Sequence, residues 1–501
     1  MTSSPATQGP LLSIVVLVYN TGCYLRECFD SLLGQEYRNI EIIAIDDAST
    51  DDSLAICREY EAAHPNFRCI SKPNEGGAVA GNLGIGLACG EYVALVDSDD
   101  LVTPRGYRLL MEEAQRVGAD IVVGRAARLS EADTSSAAFL HEPDVWSRRR
   151  VLHTVDEFIE LHHDGFYWNK VFRTSFLREH RLGMVPGLLY ADRPFVHAAY
   201  WHSRRTAIIT DLVYLWRVRE DGRAPSITQN HRQADNFRDR LRSARIEWER
   251  HAGVTESQAW RNAIAVNNLH RALFTRSAVA ASPSFRAAFM QEMQALLSLY
   301  GDLDLRSLGA RRCLYLELIR RGEVEAFCFL VGMSVDRDEI VEIGGECYWK
   351  QPFLDNPEIP IAREVMRLDF PNIGFFQIDD LTLEAAQLSL TLHLHEAVMA
   401  RCEVAFELHC TGDGRSTAFQ ALGQVGRHRW QYALDPGSVG GIAGDPQGLV
   451  MRYTTRDGIR GRYRIGPPML SGALQSRLPL AGASGRLELS AAAGSLAFSV
   501  I

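Results

Sequence analysis

The sequence has no window approaching the roughly 18 consecutive apolar residues that a membrane-spanning helix needs, so no such span is expected. Attachment to a membrane face, through a partner or a basic patch, is left open. Met1 to Pro10 is short, polar and uncharged, without the basic stretch and apolar run that mark a secretory signal. The 10 cysteines, at positions such as Cys23, Cys57, Cys89, Cys328 and Cys410, form no C-x-x-C pair and no regular framework. They read as reduced, mostly buried thiols of a cytoplasmic protein rather than as a disulfide scaffold. Basic residues are not in excess: a formal net charge of -9 argues against a surface that binds nucleic acid throughout, and leaves only local basic patches. Internal repeats and long low-complexity tracts are also missing. What the chain does have is 501 residues, 46% of them hydrophobic, which is ample for roughly two to four packed domains.

From Leu11 a β-branched apolar strand runs to a break at Asn20 and Gly22, and an amphipathic helix follows with Leu25, Cys28, Phe29, Leu32 and Leu33 on one face. A second strand, Ile40 to Ile45, ends in Asp46 and Asp47. The stretch after it offers N-cap and first-turn residues for a helix through about Ala62. A third strand, Phe67 to Ser71, leads through Pro73, Asn74, Glu75, Gly76 and Gly77 into a helix ending near Gly90. A fourth, Tyr92 to Val96, delivers Asp97, Asp99 and Asp100; a helix from Arg105 to Val117 and a strand from Asp120 to Gly124 continue the pattern. Strands alternating with helices at roughly 30-residue spacing predict right-handed crossovers and a parallel sheet with helices on both faces. Ligands of such sheets sit outside the carboxyl ends of the strands, and that is where Tyr19, Asn20, Asp46, Asp47, Asn74, Asp97 and Asp99 collect.

Asp97, Asp99 and Asp100 repel one another. Two readings follow from spacing alone: an acidic turn solvated ahead of Pro104, or a site neutralised by a cation, since hard divalent ions take oxygen ligands.

Downstream, Leu129 to Arg149 is polar and irregular and reads as a surface excursion. Phe166 to Phe172 is aromatic-rich, and Gly187 to Phe195 places one acid, Asp192, after an apolar turn. The strand Ala207 to Trp216 runs into Arg217, Arg219, Asp221, Gly222, Arg223 and Ser226. Helices with apolar faces follow from about Gln229 to Met333. After that the period becomes two: Leu388, Leu390, Leu392 and Leu394 alternate with polar residues, as do Val404, Phe406 and Leu408, with glycine-rich turns near Gly440, Gly472 and Gly485 and a last strand near Leu496 to Val500. This predicts an antiparallel sandwich or jelly roll. The expected domains are 1–228, an α/β domain; 229–335, a helical linker; and 336–501, the β-sandwich, with the second boundary near Gly332 to Asp338.

Taken in order, Val-Val-Leu-Val-Tyr-Asn, Ile-Asp-Asp-Ala-Ser-Thr-Asp, Asn-Glu-Gly-Gly with Asn82-Leu83-Gly84, Val-Asp-Ser-Asp-Asp, and Trp168-Asn169-Lys170 followed by Tyr190-Ala191-Asp192-Arg193-Pro194-Phe195 resemble the motifs of family 2 glycosyltransferases of the GT-A fold, over roughly residues 10 to 230. The resemblance implies inverting transfer from a nucleotide-sugar, a UDP-sugar in the first instance. Asp99 would be the ligand of a divalent metal, Mn²⁺ or Mg²⁺, with Asp97 on the metal or the ribose. Asp47, Tyr19 and Asn74 are assigned by it to the nucleotide base, with Asn20 beside them, and Asp192 to the general base. Asp100 is expected to cap the next turn, and Asp46 to be a turn acid. Gly76 and Gly77 either let the backbone approach the donor or only start a helix. Arg217 and Arg219 either pair with the pyrophosphate or are solvated strand residues. Trp168 is either a platform for the acceptor sugar or core. His162-His163 and His393-x-His395 have metal-like spacing without an evident third ligand.

Leu17 replaces a common proline, Gly81 a usual arginine and Ala191 a usual glutamate. The first should matter little; Gly81 removes a cation near the base and so leaves the identity of the nucleotide open, and Gly81 and Ala191 keep a second reading alive, a non-catalytic glycan-binding scaffold. The whole resembles bacterial enzymes that glycosylate wall teichoic acid, related polyol-phosphate polymers or capsule. That resemblance implies an anionic polymer or glycan as acceptor and a C-terminal domain that binds glycan or joins copies of the chain.

Overall fold

Aliphatic, β-branched runs alternate with amphipathic segments in the first part of the chain, and each forms the element its period dictates. They are β1 (Leu12–Val18), α1 (Gly22–Leu33), β2 (Ile40–Asp46), α2 (Ser53–Ala63), β3 (Phe67–Ser71), α3 (Gly77–Leu87) and β4 (Tyr92–Asp97). The structure is a computed structural model describing residues 9–129, 145–146, 148–219, 230, 232–250, 257–333, 340–372, 375–384, 387–410, 416–434, 447–465, 469–475, 480–481, 488–492 and 495–499. The Asp221 to Ser226 run, the Gly440 and Gly485 turns, and most of the Leu129 to Arg149 excursion lie outside these residues. The chain divides into two compact units, Met1–Tyr300 and Gly301–Ile501.

In the first unit β5 (Leu101–Val102), α4 (Gly106–Val117), β6 (Ile121–Leu129), β7 (Arg150–Leu152), β8 (Lys170–Arg173), α5 (Thr174–Glu179), α6 (Asp192–His202) and β9 (Thr206–Arg217) complete a nine-stranded sheet and its helices. The order is β3-β2-β1-β4-β8-β6-β9-β5, with β7 on β9. Strands β1 to β4 pair in parallel, and their register brings the ends level: Leu17 lies opposite Asp97, Val18 opposite Asp46, and Asp46 opposite Ser71. Alternate residues of β1 feed two cores. Leu12, Ile14, Val16 and Val18 pack with α1, α2 and α4, and Val15 packs on the other face with α3, α5 and α6.

Three features depart from the sequence expectation. The sheet is mixed, because β8 enters antiparallel between β4 and β6. It is only four residues long, and polar contacts of the Asn169-Lys170 pair seat it: Asn169 Nδ2 donates to Gly124 O at 2.9 Å, and Lys170 Nζ to Asp164 Oδ2 at 2.9 Å. Strand β6 continues past Gly124, where the register shifts and Val213 packs so closely that a Cβ on Gly124 would lie 2.4 Å from its Cγ2; a glycine inside a strand marks such a bulge. The apolar turn around Asp192 is the start of α6, whose Pro194 is tolerated because first-turn N–H groups have no helical acceptor.

Helices α7 (Ala234–Arg250), α8 (Gln258–Ala272), α9 (Arg276–Ala281) and α10 (Pro283–Tyr300) belong to the first unit, and α7 packs on both α6 and α10. The second unit begins with α11 (Ala310–Arg321) and α12 (Val324–Gly332). Antiparallel strands follow: β10 (Ile340–Ile343), β11 (Glu346–Trp349), β12 (Phe376–Glu384), β13 (Gln387–Leu394), β14 (Cys402–Cys410), β15 (Ser416–Ala418), β16 (Gln420–Gly426), β17 (Arg429–Leu434), β18 (Gln447–Thr455), β19 (Arg460–Arg464), β20 (Leu480–Ala481), β21 (Glu488–Ala492) and β22 (Ser495–Ser499). One sheet runs β12-β13-β17-β16; a larger one runs β15-β14-β18-β22-β21-β20, with β19 on β18. The period of two on β13 buries Leu388, Leu390, Leu392 and Leu394. The sheets meet face to face where Tyr432 of β17 packs 4.8 Å from Phe406 of β14 and donates to Val404 O.

Candidate active site

The level strand ends carry the polar residues, each held by its neighbours. After β1, Asn20 takes a positive φ of 52° and its Oδ1 accepts from Thr50 N at 2.7 Å, tying the β1 turn to the β2 turn. Tyr19 beside it is 48% exposed, an open aromatic face at the mouth of the site. Asp46 is a turn acid as expected, accepting from Ser49 N and Ser71 Oγ. Asp47 is buried: Oδ1 accepts from Lys72 Nζ at 2.6 Å and Glu75 N at 3.0 Å, and Oδ2 from Gly76 N at 2.8 Å. It therefore shapes the Asn74 loop, and one lone pair of Oδ2 is left for a ligand donor. Asn74 is exposed on that loop. Gly76 has φ 88°, caps α3, and has nothing within 4 Å of where a Cβ would lie. That backbone conformation favours glycine and leaves open space above it.

At the end of β4 the acids separate by function. Asp97 Oδ1 accepts from Tyr167 Oη at 2.5 Å. Asp99 Oδ2 accepts from Arg219 Nε at 2.8 Å. Asp100 does not cap a turn: it is buried and accepts from Tyr214 Oη and Arg217 N, both at 2.7 Å, so it fastens the acidic turn to the end of β9. Arg217 also donates from Nε to Asp99 O and from Nη2 to Glu27 Oε2. Both arginines lie over the Tyr24 ring. Asp192, half-buried, opens α6.

Burial first, then the charges of Asp99 and Asp192, pushes the Asp97 carboxyl up to about 7 against the opposing effect of Tyr167. Burial raises Asp192 as well, and it raises Asp100 well above the ordinary carboxylate range with help from Asp99 and Asp97. The strand ends thus bury several carboxyls side by side, and a bound cation would favour their ionised forms. A divalent metal fits this donor set through Asp99 and Asp97, because Mg²⁺ and Mn²⁺ sites commonly use one or two carboxylates completed by substrate phosphates. Among the described residues no three or more His, Cys, Asp or Glu side chains converge on a metal position. His162 donates Nδ1–H to Ile159 O and its ring lies tilted against His163, while His393 and His395 engage Asp379 and Cys347.

The structure does not bring Trp168 into this cluster. It is buried between Phe166 and Tyr214, with ring centroids 4.9 and 4.6 Å away, so its faces are filled. Tyr167, its neighbour, is the residue that reaches the acids. Neither Tyr167 nor Tyr214 stands out in the sequence, since they meet their partners across 70 and 114 residues of chain, respectively. Lys72 follows directly on the third strand, and its contact with Asp47 also needs the assembled sheet. Gly81, where the resemblance has arginine, packs against Met184: a Cβ there would lie 2.2 Å from its Cε, so the thioether occupies that side chain's path.

The family model described as glycosyl transferase family 2 matches residues 13–181. Glycosyltransferase GlyG of Streptococcus pneumoniae is 32% identical over 219 residues, covering 42% of this chain and 71% of that protein. The chain belongs to the family 2 glycosyltransferases. Another relative of this glycosyltransferase, the poly(ribitol-phosphate) beta-glucosyltransferase of Bacillus spizizenii, is 29% identical over 223 residues, covering 43% of this chain but 33% of that enzyme. In fold the chain is similar to S. aureus TarS, at a TM-score of 0.58 and 14% identity over 98% of this chain and 85% of that one. A shorter TarS structure, in complex with UDP-GlcNAc, aligns at a TM-score of 0.55 and 16% identity over 69% of this chain and 97% of that one. Among the described residues no helix is long and apolar enough to cross a membrane.

Proposed function

We propose that this glycosyltransferase moves a sugar, with inversion, from a UDP-sugar to a hydroxyl of an anionic cell-envelope polymer such as teichoic acid or capsule. The observation that carries this reading is the level row of strand ends, with Tyr19, Asp47 and Asn74 at one side, Asp97 and Asp99 in the middle and Asp192 beyond them. In this reading Tyr19 and the Asn74 loop receive the base, and Asp47 keeps that loop in place while offering its remaining lone pair. Asp97 and Asp99 would hold a divalent cation, which when bound would supply positive charge to the leaving diphosphate. Arg219 orients the Asp99 carboxylate, and Arg217 braces the turn behind it. Asp192, its basicity raised by burial, takes the proton from the acceptor hydroxyl as that oxygen attacks the anomeric carbon. The name of the poly(ribitol-phosphate) enzyme and the UDP-GlcNAc bound in the TarS complex support a UDP-sugar and a polyol-phosphate polymer as the first pair to try.

The test is nucleotide release from a panel of UDP-, GDP- and CDP-sugars with Mn²⁺, followed by NMR of the product's anomeric configuration. Wild type is expected to release UDP, Asp99→Ala and Asp192→Asn to lose about 10²–10⁴-fold in rate, and the new bond to be inverted. Wild type as silent as Asp99→Ala across the panel would instead favour a glycan-binding scaffold.

A further inference from the structure

Next to Asp192 lies a group of cations for which the transfer chemistry has no use so far. Arg193 follows it in α6, with its side chain only 8% exposed. Among the described residues its Nε, Nη1 and Nη2 have no hydrogen-bond acceptor. The Glu247 Oε1 atom is 3.9 Å from Nε, beyond hydrogen-bond reach, and that oxygen is taken by His197. The other carboxylate oxygen accepts from Asn268 Nδ2 at 2.6 Å. A guanidinium has five N–H donors, and leaving them unanswered in the interior is costly.

Two further arginines converge on the same place from the helices stacked behind α6. Arg240 stands on α7 and Arg271 on α8, and α7 packs against both α6 and α8. Among the described residues neither has an ion-pair or hydrogen-bond partner. Burial, together with the charges of Arg193 and Arg240, brings Arg271 down to about 9. The carboxylates facing this group are Asp192 and Glu247; burial keeps His197 below its ordinary range and so uncharged, and the Tyr190 phenol near Arg240 is neutral. Three guanidiniums against two carboxylates leave one positive charge over.

We propose that Arg193, Arg240 and Arg271 form an oxyanion site on the acceptor side, which takes a monoanion, phosphodiester or carboxylate, carried by the acceptor near the hydroxyl to be glycosylated. Guanidinium forks match both anions in bidentate geometry, and the leftover charge matches one such group. The placement rests on the reading of Asp192 as the base, which fixes this side of the cleft as the acceptor's. It gives the enzyme a physical reason to prefer an anionic polymer over a neutral glycan: a neutral acceptor leaves the arginines unanswered.

The full chain is titrated with dimethyl phosphate and, separately, with glucuronate at constant ionic strength, and with UDP as a third arm. The variants are Arg240→Gln, Arg271→Gln, the charge-preserving Arg193→Lys, and the surface control Arg238→Gln, each checked by thermal melting. Saturable binding of at least one anion to wild type is expected, weakened tenfold or more in Arg240→Gln and Arg271→Gln and unchanged in Arg238→Gln, with UDP affinity the same throughout. The anion that binds tells a phosphodiester polymer from an acidic polysaccharide. No saturable binding of either anion, or equal affinity in the folded Gln variants, overturns the site. So does a parallel loss of UDP affinity, which would give the arginines to the donor diphosphate. Wild type that binds the anion but neither binds UDP nor releases it from UDP-sugars would instead sink the transfer reading alone.

Discussion

Asp97 carries the sharpest consequence at the scale of single residues. A carboxyl whose ionisation is pushed up to about 7 by burial and by Asp99 and Asp192 holds a cation only once its proton has left. Donor turnover is therefore expected to rise with pH through about 7, and added Mn²⁺ should move that acid limb to lower pH by competing with the proton. Tyr167 Oη donates to the ionised form and so favours it. Tyr167→Phe should shift the limb upward by about half a unit to one unit, with the rate on the alkaline plateau reduced less than tenfold. A pH profile of nucleotide release checks both; a limb that ignores Tyr167→Phe would separate Asp97 from the rate. Asp100 illustrates a different lesson. From sequence it is set apart from the other two acids as a structural cap of the next turn, and only the position of Tyr214 and Arg217 on β9 reveals that it fastens the turn to that strand instead.

Among the elements, α3 has to lie very close to β1 if the Asn74 loop is to reach the strand ends. Gly84 makes this possible: a Cβ there would fall 2.1 Å from Val15 Cγ1, in the strand beneath. Gly86, two residues on, is exposed and has nothing within 4 Å of its would-be Cβ. Gly84→Val is expected to destabilise the protein by about 1–3 kcal/mol through overpacking, while Gly86→Ala should stabilise it by about 0.5–1 kcal/mol by restraining the unfolded chain. Urea melts of the two variants decide, and equal effects would contradict the close packing. Elements with a clean period were legible: the parallel strands β1 to β4, their helices and the alternating β13 follow from apolar spacing. The short β8 did not show itself, because four residues held by Asn169 and Lys170 carry no period. Helix α6 was hidden by Pro194, which reads as a turn although the first helical turn accepts it. The residues proposed for the donor side are legible as a group because they end strands in a fixed order. Arg193, Arg240 and Arg271 are not, since no spacing joins three arginines on separate helices.

For the molecule as a whole, the first unit is larger than the α/β pattern alone suggests. Trp260 of α8 is fully buried in the same core as Phe172, Phe195 and Ile208, and Glu247 of α7 closes on His197 of α6. Burial would raise the Glu247 carboxyl, yet His197, through the hydrogen bond from its Nδ1–H, and the Arg193 guanidinium hold it at about 2, which ties α7 to α6 by polar contacts as well as by packing. Residues 1–300 expressed alone should therefore melt cooperatively and release UDP from a UDP-sugar. Residues 1–228, which lack both helices, should be insoluble or melt without cooperativity. Circular dichroism melts distinguish them, and two equally stable fragments would show that α7 and α8 are accessories. The most direct measurement of the central claim, that the acidic strand ends form a metal-dependent donor site, is calorimetric titration of UDP into the full chain with Mn²⁺ present. The account predicts saturable binding to wild type, at least tenfold weaker binding to Asp99→Ala, and little change in Asp192→Asn. Equal affinity of wild type and Asp99→Ala for UDP, with and without Mn²⁺, would contradict it.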